Sequence, residues 1–360
     1  MKKILITILC VLVTTLSFAC TDFQIKTEDN AIIIGRSMEF AVDLKPEVTV
    51  HPRGEKVESD APNGKKGLKW TSKYGFIGVS VFGDDDAIVD GFNEKGLSTG
   101  LLWLADITKY QEVAKNENKK ALDILDLASW ILGNFSKVSE VKRAMKNVRV
   151  WGEFIPELGL APPLHVALHD SDGNSLVIEF IDGEQRIHDN PIGVLTNSPE
   201  FNWHITNLQN YVTVTSWNAE PATIAGVTLK GTGNGSGLFG IPGDWTPTSR
   251  FVRAAFFIHF ADPAKTAAEG VNLAEHILNT VDIPHGDMKE KKGDSVSEGY
   301  TMWVVIKDLT NKVLYFRTYE NLTLRSVDLT KFDLKAGSKV KSLPLSTGDY
   351  GIEDITGKLL

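Results

Sequence analysis

Alternating apolar and polar positions after residue 20 predict a β-hairpin. Phe23 and Ile25 are separated by polar residues, and an apolar run at 31–34 follows the polar residues 28–30, which are typical of a turn. A segment rich in Gly, Pro, Asp and Lys at 52–66 is predicted to be a polar loop. Beyond it the pattern predicts strands at 76–82, 87–92 and 97–104.

Helical periodicity replaces this alternation between residues 119 and 148. Leu122, Leu125 and Leu132 recur on one helical face, and Gly133-Asn134 divides the run into two predicted helices. Further helices are predicted at 250–260 and 273–280. Strand-like patterns return at 165–169, 175–180, 193–196, 301–316 and 322–329. Strands, then helices, then strands favour an α+β fold with antiparallel sheets.

The first residues have the pattern of an export signal. Lys2 and Lys3 precede an apolar run, and small residues at Ser17 and Ala19 are typical of the positions before a cleavage site. The run is too short to be read with confidence as a membrane span, which needs about 20 apolar residues. We therefore expect a signal peptide at 1–19, a single domain at 20–360 and a periplasmic or secreted mature protein. An uncleaved anchor helix is the alternative.

Charge and composition exclude several classes of function. The 360 residues include 38 Lys and Arg and 46 Asp and Glu, for a formal net charge of −8. The sequence has neither a basic stripe for nucleic acid nor a basic amphipathic segment for a membrane surface. His165 and His169 share a face of a predicted strand, but no third metal ligand is evident, so a structural role is favoured.

The position of the cysteines raises the question of catalysis. Cys10 falls inside the predicted signal, so Cys20 would be the only thiol and the first residue of the mature chain. An N-terminal cysteine carries a nucleophilic thiol and an α-amine with a pKa of about 7.7–8.0, which can act as its base. The alternative is a lipoprotein, in which an acylated Cys20 tethers a binding protein to a membrane. Ser17 and Phe18 fit that motif poorly.

Four further residues carry candidate chemistry, and each also has an ordinary structural interpretation. Arg36 would favour a thiolate and Glu39 would hold an amine, although their spacing alone fits a surface ion pair. Asn197 follows a predicted strand, where its amide would stabilise an oxyanion or simply form a turn. Arg250 follows a glycine-rich loop that lacks the features of a nucleotide-binding motif, and it is either structural or faces the site.

Together these segments resemble the choloylglycine hydrolases, which include bile salt hydrolases and penicillin V acylases and are N-terminal nucleophile hydrolases. The resemblance spans nearly the whole chain after residue 19. It rests on five motifs in order at matching spacing: Cys20-Thr21, Gly35-Arg36-Ser37-Met38, and the segments 90–97, 193–199 and 243–251. It implies a four-layer αββα sandwich with two antiparallel sheets between helical layers. It also implies an enzyme without metal or organic cofactor, and a homo-oligomer, since tetramers are common in the family.

The resemblance assigns a role to each matching residue. Cys20 would attack the amide carbonyl and keep the acyl group as a thioester until water releases it. Arg36 would lie close to the thiol, and Arg250 would brace the site. Glu39 stands where the family usually has aspartate, which contacts the amine or thiol of the nucleophile. Its extra methylene would shift activity in a direction that the sequence does not indicate.

The resemblance further implies an oxyanion hole formed by the side-chain amide of Asn197 and the backbone N–H of Trp103. At the position of Trp103, bile-salt-specific members tend to have Asn and Gram-positive penicillin V acylases Tyr. Trp resembles the Gram-negative acylase branch, and its indole offers an apolar face to the acyl group of a small-molecule substrate. The candidate substrates are therefore phenoxymethylpenicillin, N-acyl homoserine lactones and conjugated bile acids, in that order. A relative that has lost activity through Glu39 is the remaining alternative.

Overall fold

The computed structural model describes residues 19–156, 158–292, 295–346, 348 and 350–358. The predicted signal peptide lies outside the described residues, except for Ala19. The first ten strands of the described chain are β1 (Ala19–Lys26), β2 (Ile32–Phe40), β3 (Glu47–His51), β4 (Lys56–Ala61), β5 (Lys65–Thr71), β6 (Phe76–Val81), β7 (Asp84–Asn93), β8 (Leu97–Trp103), β9 (Ala121–Asp123) and β10 (Arg149–Trp151).

Eleven further strands and five α-helices complete the described chain. The strands are β11 (Leu164–Asp170), β12 (Ser175–Ile181), β13 (Glu184–Asp189), β14 (Val194–Leu195), β15 (Ala222–Ile224), β16 (Val227–Leu229), β17 (Met288–Lys292), β18 (Ser295–Asp308), β19 (Val313–Thr318), β20 (Arg325–Asp328) and β21 (Lys341–Pro344). The α-helices are α1 (Leu127–Asn134), α2 (Val138–Ala144), α3 (Phe201–Asn207), α4 (Pro247–Phe260) and α5 (Ala267–Leu278).

Two antiparallel sheets form the centre of the fold. The first has the order β14-β1-β2-β18-β19-β20, and β17 also pairs with β18. The second has the order β13-β12-β11-β8-β7-β6-β3-β21. The hairpins β4–β5 and β15–β16 and the parallel pair β9–β10 lie outside these sheets.

Helices cover the outer face of each sheet. α1 packs on β7 and β8 and α2 on β11, whereas α4 and α5 pack on β1, β2, β14 and β18. β1 and β8 contact each other between the two sheets. The order helix, sheet, sheet, helix is the four-layer αββα sandwich, so the predicted fold class is confirmed.

The central strands are buried on both faces because one face meets the other sheet and the opposite face meets helices. Every residue of β2 is buried, which explains its continuous apolar run at 32–34. Gly35 lets the strand approach its neighbour, since a β-carbon there would lie 2.4 Å from the Phe23 ring. Cys20 is the β1 partner of Met38 on β2. The candidate nucleophile thus stands at the centre of the sandwich.

Several sequence predictions are confirmed with small shifts in their boundaries. They include the first hairpin and the strands predicted at 76–82, 87–92, 97–104, 165–169 and 175–180. The helix predicted at 250–260 begins earlier, at Pro247, because the Thr246 side chain accepts a hydrogen bond from the Ser249 N–H and caps it. The strand predicted at 301–316 is in fact two strands, β18 and β19, joined by a turn.

Two predictions are wrong. The segment 52–66 is not simply a loop, because β4 and β5 form a hairpin whose exposed faces carry the ion pairs Lys69–Glu58 and Lys66–Asp60. The helix predicted from residue 119 begins only at Leu127, after the short strand β9. β9 pairs with β10 and buries Leu122 without helical geometry.

Candidate active site

The thiol of Cys20 lies in the space between the two sheets. Cys20 is the second residue of β1 and is 2 % exposed, and its Sγ lies 3.6 Å from the Sδ of Met38. Because side chains alternate along a strand, the neighbours Thr21 and Glu39 point to the opposite face, which α4 and α5 cover. The Cys20 thiol therefore lies on one face of the first sheet, and the side chains of Thr21 and Glu39 lie on the other face.

The surroundings of the thiol act on its pKa in both directions. Burial raises the pKa of the Cys20 thiol, and the carboxylate of Glu39 adds to this effect. The cations Arg36 and Arg250 and the backbone N–H of Trp103 act against it by favouring the thiolate. The net direction is upward, so the thiol needs a base that removes its proton during attack.

The backbone nitrogen of Cys20 contacts the predicted oxyanion donor. The Cys20 N–H donates to Oδ1 of Asn197 over 2.6 Å, and Nη2 of Arg250 donates to the same oxygen over 2.8 Å. Nδ2 of Asn197 donates to the carbonyl of Trp103 over 2.8 Å, which leaves its second hydrogen for an oxyanion. Here the Cys20 nitrogen belongs to the peptide bond with Ala19. In a chain cut at that bond it would be the α-amine, beside its own thiol.

Arg250 lies in the first turn of α4 and is fully buried. Its Nη1 donates to the Cys20 carbonyl over 2.5 Å and to Oγ1 of Thr21 over 2.7 Å, and its Nε donates to the Trp245 carbonyl over 3.0 Å. One guanidinium therefore connects β1, Asn197 and the start of α4. This geometry suits the bracing role that the resemblance implies.

Arg36 lies on the thiol side of the sheet and is held by the second sheet. Its Nη1 donates to the Val89 carbonyl over 2.6 Å and lies 3.7 Å from Oδ2 of Asp90. Burial alone would lower the pKa of Arg36, but Asp90 and the negative forms of Cys20 and Asp22 outweigh it and raise that pKa. The guanidinium therefore stays charged beside the nucleophile.

A buried charge network extends from Arg36 across the space between the sheets; it consists of Asp22, Arg36, Asp90, His169 and Lys307. Nζ of Lys307 donates to Oδ1 of Asp90 over 2.5 Å and lies 3.8 Å from Oδ2 of Asp22. Nε2 of His169 lies 2.6 Å from Oδ1 of Asp22. Burial opposes ionisation of Asp22, but His169, Lys307 and Arg36 outweigh it and lower its pKa.

Glu39 lies on the helix-covered face of β2, directly opposite Ala19 in the strand register. Its Oε1 accepts a hydrogen bond from Oγ1 of Thr301 over 2.9 Å. Burial raises the pKa of Glu39 to about 7, although Arg250 acts in the opposite direction. The structure thus places this carboxyl near Arg250 and the position of Ala19, on the opposite face of the sheet from the thiol.

An apolar pocket opens beside the thiol of Cys20. Apart from Cys20, the described residues that line it are all apolar, among them Met38, Phe40, Val89, Leu101, Trp103 and Leu164. Phe40 and Trp103 meet edge to face with their ring centroids 5.9 Å apart. The pocket therefore offers an apolar group a place next to the nucleophile.

Comparison with known proteins agrees with this geometry. The sequence model described as "Linear amide C-N hydrolases, choloylglycine hydrolase family" matches residues 20–343.

The chain belongs to the choloylglycine hydrolase family.

Relatives of known sequence support this assignment. A bile salt hydrolase/transferase from Clostridium perfringens is 33% identical over 90% of this chain and 96% of its own length. A penicillin V acylase from Pectobacterium atrosepticum is 29% identical over 91% of this chain and 86% of its own. This member of the family is accordingly an enzyme that cleaves linear amide C–N bonds.

Solved structures show the same fold. A variant of the conjugated bile acid hydrolase from Clostridium perfringens superposes with a TM-score of 0.81 at 31% identity, covering 93% of this chain and all of that one. Penicillin V acylase from Agrobacterium tumefaciens superposes with a TM-score of 0.74 at 27% identity, covering 92% and 94% of the two chains. Both enzyme types are therefore structural neighbours of this hydrolase.

Sequence reasoning identified the residues that meet at Cys20 in this hydrolase but not their supports. Asp22 and Lys307 gave no recognisable signal, and Asp90 entered only as the first residue of the 90–97 motif with no role assigned to it. Residues this far apart in the chain meet only through the sheet register.

The described residues contain no cluster of three potential metal ligands. The two histidines of β11 each contact a carboxylate: His165 contacts Glu179, and His169 contacts Asp22. Within the described part of the chain, none of the helices has the length and apolar character needed to cross a membrane.

Proposed function

We propose that the protein hydrolyses amides of apolar carboxylic acids through a thioester on Cys20. The single observation that carries this proposal is that Cys20 lines the apolar pocket. An acyl group in that pocket would bring its carbonyl carbon to Sγ, while the amine part of the substrate would point away from the apolar lining.

The reaction uses groups that already meet in the fold. The α-amine of a processed Cys20 takes the thiol proton as Sγ attacks the carbonyl carbon. The resulting oxyanion accepts hydrogen bonds from Nδ2 of Asn197 and from the backbone N–H of Trp103. The amine then passes that proton to the leaving nitrogen as the C–N bond breaks. Water, deprotonated by the same amine, attacks the thioester and releases the acid.

The pocket lining favours acyl groups without hydroxyls. A buried hydroxyl that finds no partner costs about 1–3 kcal/mol, so the hydroxyls of a steroid acid would be disfavoured among these side chains. Phenoxyacetyl and fatty acyl groups carry no such hydroxyl, which supports penicillin V and N-acyl homoserine lactones as first candidates. Conjugated bile acids are the second candidate, because a bile salt hydrolase/transferase shares 33% identity with this chain.

A series with one leaving group tests the acyl preference. Phenoxyacetylglycine, octanoylglycine and glycocholate all release glycine, so kcat/KM differences report the acyl group alone. We expect the first two to be cleaved faster than glycocholate, with Cys20→Ala as the blank. Fastest cleavage of glycocholate would establish the bile salt alternative, and no turnover of any of the three by the mature enzyme would contradict the proposal.

We also propose that residues 1–19 are removed on export to the periplasm or the medium, which frees the amine of Cys20. Mass spectrometry of the mature N-terminus, isolated from periplasm and culture medium, tests this. An unmodified N-terminal cysteine supports the proposal. A diacylglyceryl adduct would instead identify a membrane-tethered lipoprotein, the alternative from another class.

Finally, we propose that the protein is a homo-oligomer, because tetramers are common in this family. Large apolar side chains are exposed around the hairpin β15–β16, including Trp217, Ile224 and Phe239. A second copy of the chain would bury them. Light scattering after gel filtration measures the mass, and a purely monomeric enzyme at micromolar concentration would contradict the proposal. The variant Ile224→Asp is expected to lower the mass without unfolding the chain.

A further inference from the structure

Two buried histidines hold the backbone on either side of the oxyanion donor. Nε2 of His204 lies 2.8 Å from the carbonyl oxygen of Asn197, and Nε2 of His165 lies 3.0 Å from that of Thr196. A carbonyl oxygen only accepts hydrogen bonds, so Nε2 of each ring carries a hydrogen. Both imidazoles are completely buried. These two contacts act on the oxyanion side of the site through the backbone that carries Asn197.

The ring of His204 is held in place from a second side. It stacks on Phe251 with ring centroids 4.6 Å apart and planes 15° apart, and Phe251 follows Arg250 in α4. Burial lowers the pKa of His204 to about 4, so its ring is neutral at pH 7 and donates from Nε2. His204 therefore connects Asn197 to the helix whose Arg250 binds the same amide oxygen.

One carboxylate fixes both histidines. Oε1 of Glu179 accepts from the N–H of Phe201, the first residue of α3, and lies 3.3 Å from Nδ1 of His165. Burial alone would raise the pKa of Glu179, but hydrogen bonds from His165 and His188 outweigh it and lower that pKa to about 2. The ionised carboxylate thus orients His165 directly and His204 through the helix that carries it.

We propose that His204 and His165, tied together by Glu179, are positioning residues for the oxyanion hole of this hydrolase. The amide of Asn197 must reach Cys20, Arg250 and Trp103 at once, and displacing such a group by about 1 Å costs on the order of 100-fold in rate. The inference rests on the proposed use of Asn197 as an oxyanion donor.

The matched variants His204→Leu and His204→Gln test this role. Leucine removes the donor, whereas the glutamine amide presents an N–H near the place of Nε2. We expect His204→Leu to lower kcat by about 10- to 100-fold with little change in KM, and His204→Gln to recover most of the loss. The rate at which iodoacetamide alkylates Cys20 is expected to stay within about twofold of wild type, because alkylation forms no oxyanion.

A double-mutant cycle with Asn197→Ala separates positioning from a general structural effect. If His204 acts through Asn197, His204→Leu lowers kcat much less when Asn197→Ala is already present. Equal losses in both backgrounds, or a parallel fall in the alkylation rate, would overturn the proposal. Failure of the proposed oxyanion role is distinguishable, because Asn197→Ala by itself would then leave kcat unchanged.

A second pair of variants keeps the test decisive if His204→Leu does not fold. His165→Gln retains a donor towards the Thr196 carbonyl, and His165→Leu removes it. We expect the same order of kcat values, with the glutamine variant closer to wild type. A folded His165→Leu enzyme with kcat within about threefold of wild type would overturn the proposal, since the loss expected for a misplaced catalytic group is far larger.

Discussion

Replacing Lys307 by methionine tests whether the buried charge network stabilises the fold. Lys307 is completely buried, and its ammonium lies between the carboxylates of Asp90 and Asp22. Methionine fills a similar volume without charge. The change leaves both carboxylates buried with Arg36 as the remaining permanent cation, 3.7 Å from Asp90. We therefore expect a large loss of stability.

The magnitude follows from the distances. Two charges 3.8 Å apart, as Lys307 and Asp22 are, attract by about 4 kcal/mol at an effective dielectric constant of about 20. Removing one partner of a buried pair typically costs about 3–5 kcal/mol, because the other charge remains desolvated. We expect Lys307→Met to lower the free energy of unfolding by that amount. Adding Asp90→Asn removes one of the two carboxylate charges left behind and is expected to restore about 2 kcal/mol.

Urea unfolding of the wild type, both single variants and the double variant at one pH and one salt concentration measures these free energies. The decisive comparison is between Lys307→Met and the double variant, because only coupled charges make the double variant more stable than the single one. A cost below about 1 kcal/mol for Lys307→Met, or strictly additive costs in the double variant, would refute the reasoning.

Four further predictions concern the site. Cys20→Ala is expected to abolish amide turnover and Asn197→Ala to lower kcat by about 10²–10³, measured as released amine; normal rates in Cys20→Ala would end the thioester mechanism. The pKa of Glu39 rises on folding from 4.5 to about 7 in the chain that retains Ala19. The folded state then binds more protons, so the stability of that chain is expected to fall by about 3 kcal/mol as the pH rises from 4.5 through 7. Urea unfolding at pH 5 and pH 8 checks this, and the idea fails unless Glu39→Gln removes the difference. Val89→Phe fills part of the apolar pocket and is expected to raise KM for octanoylglycine about tenfold more than for acetylglycine; equal changes would place the acyl group elsewhere.

The strands were predictable where burial follows a simple pattern. The hairpin β1–β2 and the strands β6, β7 and β8 combine apolar runs with clear turns, and the structure has them where the sequence indicates. The hairpin β4–β5 was missed because its lysines and acidic residues pair with each other in solvent. α3 was missed because it is short and buries only Phe201 and His204. The hydrophobic pattern of a short, mostly polar segment does not show which strand or sheet it packs against.

In the candidate site, too, the sequence indicated the main residues but not the contacts that they make. The resemblance named Cys20, Arg36, Asn197 and Arg250, and the structure brings all four together. Their contacts join residues as far apart in the chain as Cys20 and Arg250, and only the pairing of β1 with β14 and the packing of α4 create them. The face of β2 on which Glu39 lies follows from strand alternation, yet its raised pKa depends on burial by helices that are distant in sequence.

If residues 1–19 are removed by a peptidase, as we propose, the burial of Ala19 sets the order of cleavage and folding. Ala19 is 1 % exposed, and its strand position is opposite Glu39 in the closed hairpin. A peptidase needs an accessible, extended stretch on both sides of the bond that it cuts, and a residue paired inside a sheet does not offer one. Any external enzyme that severs the bond before Cys20 must therefore act while the chain is still unfolded. Where an external enzyme makes the cut, a molecule that folds first would remain an uncut precursor, and the relative rates of cleavage and folding would decide how much enzyme becomes active.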